Sequence, residues 1–119
     1  LILDATNLKL EAVLAGAVAA NQPEVHVDYI PWNIDGTQGK PATFRTALNS
    51  GTDVTILAAP TKQGVVLEVT RLEIYNKDTA SVTCTVKTDD GTTERIKVKQ
   101  TVTTLQTLAW EKDVGWYKF

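Results

Sequence analysis

Val82-Thr83-Cys84-Thr85-Val86-Lys87-Thr88-Asp89-Asp90-Gly91-Thr92-Thr93-Glu94-Arg95-Ile96-Lys97-Val98 is the stretch whose reading decides the fold. Apolar and polar residues alternate on both sides of an acidic turn that ends in glycine, the pattern of two half-buried strands joined as a hairpin. Loop length fixes which residues face each other. A two-residue Asp90-Gly91 loop would set Cys84 opposite Lys97 and Val86 opposite Arg95, with basic side chains on the core face. A three-residue Asp89-Asp90-Gly91 loop would pair Thr88 with Thr92, Cys84 with Ile96, Val82 with Val98 and Thr85 with Arg95, so that every inward pair is apolar. The longer loop is therefore expected, with Gly91 in the left-handed conformation that such a loop requires and that a β-branched residue adopts only at a cost.

The same periodicity extends outward from this hairpin. Val65, Leu67 and Val69 alternate, and the pattern resumes on the other parity at Leu72 and Ile74. One extra residue near Thr70-Arg71, a β-bulge, restores the original face without ending the strand. Glu24 to Ile30 alternates up to Pro31, which cannot donate to a ladder and is expected to stop the strand. Further strands are expected at Thr43 to Ala47, Val54 to Ala58, Thr104 to Trp110 and Gly115 to Lys118. Between them lie the turn signals Asp35-Gly36, Gly39-Lys40-Pro41, Asn49-Ser50-Gly51 and Glu111-Lys112-Asp113.

Residues 7 to 15 are ambiguous. Leu10, Val13, Leu14, Ala17 and Val18 fit helical spacing, whereas Leu8, Leu10, Ala12 and Leu14 fit strand spacing. Gly16 interrupts the helical pattern, which favours a strand or an extended arm over residues 7 to 15, and residues 1 to 20 are expected to form an N-terminal arm or the first strand of the sandwich. Seven or eight short strands in one domain of 119 residues make an all-β fold, an antiparallel β-sandwich with jelly-roll as one form of it, carrying an extended N-terminal segment.

Composition agrees. Thr occurs 18 times, and with the many Val residues it supplies β-branched side chains suited to a pleated surface. A net charge of −2 argues against a nucleic-acid partner, which needs a basic face. Arg95-Ile96-Lys97-Val98-Lys99 reads as the solvated side of a strand. The opening Leu1-Ile2-Leu3-Asp4 lacks the basic region of a signal peptide, and its apolar run is far shorter than a membrane span, so a soluble protein with no membrane partner is expected.

The chemical candidates are few. His26 and Asp28 share a face at strand spacing, but no nucleophile accompanies them, so catalytic residues are not expected. One Cys and one His fall short of a transition-metal ligand set. Asp78, Asp89 and Asp90 lack calcium-loop spacing, and no cofactor or metal is expected. Gly36-Thr37-Gln38-Gly39-Lys40-Pro41 is too short for a phosphate loop. Cys84 is expected to pack as a small hydrophobe, and Trp110 and Trp116 to fill the core. Leu8, Leu10, Leu14, Tyr29 and Trp32 are the candidate interface residues, the leucines through the arm and the aromatics beside Pro31.

The order of residues adds one further reading. Leu1 to Thr6, Leu10 to Ala17, Ala59-Pro60, Ile74-Tyr75-Asn76-Lys77-Asp78-Thr79, Leu108 and Gly115-Trp116 together resemble small virion proteins of tailed bacteriophages and prophages. That resemblance spans nearly the whole chain and carries no catalytic residues. It implies a non-enzymatic structural protein located in the virion and assembled in the bacterial cytoplasm. A capsid decoration (cement) protein is the leading form, with a neck or tail component as the alternative. The implied partners are other virion proteins, the major capsid protein first, and copies of the chain itself, with a trimer favoured. Two readings from other classes stand beside it. A carbohydrate-binding module would stack sugars on Tyr29, Trp32 or Tyr117, and a hydrolase would need a nucleophile beside His26.

Overall fold

The computed structural model describes residues 1–119 and contains ten strands and no helix. They are β1 Ile2–Leu3, β2 Lys9–Leu14, β3 Glu24–Trp32, β4 Ala42–Ala47, β5 Val54–Leu57, β6 Val66–Tyr75, β7 Val82–Asp89, β8 Glu94–Val102, β9 Thr107–Glu111 and β10 Gly115–Lys118. All ladders are antiparallel. One sheet runs β10-β9-β6-β3-β4, with β1 beside the first half of β6, and the other runs β5-β2-β7-β8. The two sheets pack face to face as a β-sandwich, and the chain passes repeatedly from one to the other. Two more strands form than the upper expectation of eight; β1 is only two residues long, and no periodicity announces so short an element.

The core lies between the sheets and takes alternate residues from each strand, as the pleat dictates. Leu10, Ala12 and Leu14 of β2, and Val82, Cys84 and Val86 of β7, meet Val25 and Val27 of β3, Leu72 and Ile74 of β6 and Leu108 of β9. The expected bulge in β6 is present. Asp28 pairs with Arg71 and Tyr29 with Val69, which leaves Thr70 as the extra residue and allows Val69 and Leu72 both to be fully buried. The Thr70 hydroxyl donates to the Asp28 carbonyl, so the bulge is tied across to β3.

Residues 1 to 20 are not a free arm. β2 lies inside its sheet, between β5 and β7, with Leu10 and Leu14 buried. The strand parity of Leu8, Leu10, Ala12 and Leu14 prevails over the helical one. β3 also departs from expectation, since it continues through Pro31 to Trp32. Its pairing with β4 ends at Tyr29 and Ala42, and the Pro31 carbonyl, which points to that side, accepts from the Gly39 amide. The imide nitrogen therefore faces a position where no strand requires a donor.

The hairpin after β7 corrects the expected register. Asp89 pairs with Glu94, so the loop is Asp90 to Thr93, four residues rather than three. Cys84 lies opposite Gln100, Val82 opposite Val102 and Thr85 opposite Lys99, and a bulge at Lys97 separates the Val86–Val98 pair from the Lys87–Ile96 pair. Ile96 is turned out to solvent, 65% exposed. Two facts account for this. The Asp90 carboxylate accepts from the amides of Thr92 and Thr93 at 2.9 and 2.6 Å and so builds the wider loop. β8 is also a sheet edge, where a bulge costs little. Gly91 adopts the left-handed conformation, φ 88°, as expected.

Candidate interaction site

β4 is one edge strand of the larger sheet, β10 being the other, and β5 is one edge strand of the smaller sheet, opposite β8. Phe44 pairs with Val27, so it lies on the core-facing side of its sheet. Phe44 is nonetheless 41% exposed, and the facing β5 is only four residues long. Beside it is a groove of about 470 Å³, lined mainly by Tyr29 and Pro31 of β3, Phe44 of β4, Leu57 of β5, Pro60 of the β5–β6 connection and Leu67 of β6. It is an apolar cleft at the open flank of the sandwich, with the unpaired backbone of β4 alongside. Lys40 and Arg45 are the only charged side chains from Gln38 to Ala47, so this edge is basic.

Of the five candidate interface residues, Tyr29 lines the groove. Leu10 and Leu14 are core side chains and unavailable to a partner, and Leu8 is half-buried against the same core. Trp32 is half-buried at the end of β3, opposite Val66 and bridged to Gln38, outside the groove lining. Phe44 and Pro60 were missed by sequence reasoning. The signal for Phe44 was present, because it is the only large apolar residue of its strand.

The other candidate groups are dispersed. His26 and Arg45 are cross-strand partners on the outer side of the larger sheet and line a polar cleft of about 620 Å³ with Glu24, Thr46 and Lys77. No Ser or Cys lines that cleft. Asp28, two residues on, accepts a hydrogen bond from the Thr43 hydroxyl at 2.6 Å. Tyr117 lies on β10, separated from Tyr29 and Trp32 on β3 by β9 and β6, and it stacks on Phe119. The three aromatics therefore do not form one sugar-binding platform. Cys84 is fully buried, and burial pushes its thiol up to about 12.

The three aspartates considered for calcium do not converge either. Asp78 stands before β7, whereas Asp89 ends that strand and Asp90 follows it. Asp78 has a structural task. Its carboxylate accepts from the amides of Ala19, Ala20, Asn21 and Thr79 at 2.8–3.0 Å and holds the β2–β3 connection against the turn after β6. The Asn21 and Ala19 amides are the chief reason that its acidity is shifted from an ordinary 3.8 to about 2. On the outer side of the larger sheet, Arg71 pairs with Glu73 and Glu111 and donates to the Tyr117 hydroxyl, an ion network that ties β6, β9 and β10 together.

No protein-family model, curated protein or solved structure matches this chain.

Proposed function

We propose that the protein is a non-enzymatic structural component of a bacteriophage particle, a capsid decoration protein that works through protein–protein contact. The observation that carries this reading is the apolar groove beside the free edge of β4. An open edge offers backbone donors and acceptors at strand spacing, and the adjoining groove takes the apolar side chains of an added strand. The occupant we assign is an extended apolar segment of the major capsid protein that carries acidic residues, to match Lys40 and Arg45 on the basic edge. The resemblance of the chain to small virion proteins supplies the biological setting. Many copies on one particle would gain avidity from interfaces that are individually modest, and assembly into a trimer would raise it further.

With Leu10 and Leu14 committed to the core, the chain receives a strand at β4 rather than donating an N-terminal arm. Mass spectrometry of purified particles tests the virion assignment, with the protein expected in many copies per particle. Electron microscopy of labelled particles distinguishes the head from the neck or tail. Absence of the protein from particles would overturn the proposal.

A further inference from the structure

The outer face of the smaller sheet holds a second feature that the contact reading does not use. Glu11 of β2 lies directly opposite Lys87 of β7, and Asp53, the residue just before β5, and Glu94, the first residue of β8, approach it. Carboxylate oxygens of Glu11, Asp53 and Glu94 all lie within 4.8 Å of one another. The Lys87 ammonium reaches Asp53 at 2.9 Å and Glu94 at 2.5 Å. Lys9 reaches Oε2 of Glu11 at 3.2 Å. The Glu11 side chain is 4% exposed, yet its Oε1 has no hydrogen-bond partner.

We propose that Glu11, Asp53 and Glu94 form a divalent-cation site of the calcium type, in which the Lys87 ammonium is the resident counter-ion that the metal displaces. Three observations carry it. Oxygen ligands at about 2.3–2.6 Å from a calcium ion stand no more than about 5 Å apart, which is the spread these carboxylates already have. A buried carboxylate oxygen without a donor is costly, and a cation would satisfy it. The three carboxylates of Glu11, Asp53 and Glu94 also outnumber the two ammonium groups of Lys9 and Lys87 paired with them, so the cluster retains negative charge. The donor set is oxygen alone, with no imidazole or thiolate, which selects a hard cation over zinc. Bound there, the ion would join β5, β2 and β8 across the sheet.

Thermal melting and calorimetry of the whole chain provide the test, with calcium chloride at about 10 mM, suited to sites of millimolar affinity, against sodium chloride of equal ionic strength. The wild-type protein is expected to melt several degrees higher with calcium. Lys87→Gln, which removes the competitor, is expected to gain more than the wild type, and Glu11→Gln to lose the response. If Lys87→Gln folds poorly alone, recovery of its near-ultraviolet circular dichroism on adding calcium is the supporting result, and no recovery counts against the site. A calcium effect absent from both the wild type and Lys87→Gln overturns the proposal, as does a Glu11→Gln variant that responds like the wild type.

Discussion

Strands β2 and β4 are both six residues long, and the sandwich treats them in opposite ways. β2 has a neighbour on each side and buries Leu10, Ala12 and Leu14. β4 has one neighbour, exposes Thr43, Phe44 and Arg45, and borders the groove. The difference teaches where a partner can bind. Hydrophobicity along the chain points to β2, but an interior strand has already spent its apolar face on its own core. The less hydrophobic β4 is the one that still has backbone and an aromatic ring to offer.

The largest expected effect lies in β2. Leu10→Ala removes a fully buried side chain and should cost about 2–5 kcal/mol in denaturant unfolding, as large-to-small core changes do. A loss near zero would restore the arm reading and erase the contrast with β4. The segment after β2 is held by Asp78, and Asp78→Ala leaves four amides without their acceptor. A drop in melting temperature on the order of 10 °C is expected, since charged hydrogen bonds exceed neutral ones in worth.

The pH dependence of that anchor has a definite sign. Asp78 is more acidic in the folded chain, about 2, than its ordinary 3.8. Its contribution is complete above the ordinary value and is lost as pH falls through the folded one. Acid melting between about pH 4 and pH 2 should accordingly be steeper for the wild type than for Asp78→Asn. Equal slopes would remove Asp78 as the clamp.

At Gly91, substitution by Ala forces a side chain into the left-handed region and should cost about 1 kcal/mol, which denaturant melts can resolve. The smallest effect on stability is expected at β4. Phe44→Glu replaces a partly exposed ring and should change stability by less than about 1 kcal/mol while removing the groove's central apolar contact.

Much of this fold was legible in the sequence, because period-2 burial leaves a direct trace. Val69 and Leu72 on opposite parities located the Thr70 bulge, and Gly91 marked its own conformation. The register of β8 was not legible. Pairing every apolar residue inward presumes that both strands are covered, whereas Ile96 on an edge strand is free to face water once Lys97 bulges. Pro31 misled for a related reason, because a proline stops a strand only where a neighbour needs its donor. Of the candidate site, Tyr29 was legible and the groove was not. Phe44 and Pro60 are brought to Tyr29 by strand order, which no local pattern encodes. The meeting of Glu11 with Asp53 and Glu94 depends on strand order in the same way.

The central claim, that β4 and its groove form the contact surface, is tested most directly by co-sedimentation of wild-type and Phe44→Glu protein with assembled heads lacking the native copy. The account predicts saturable binding of the wild type and its loss in a Phe44→Glu variant that melts normally. Undiminished binding of that variant, or no binding of the wild type, would contradict it.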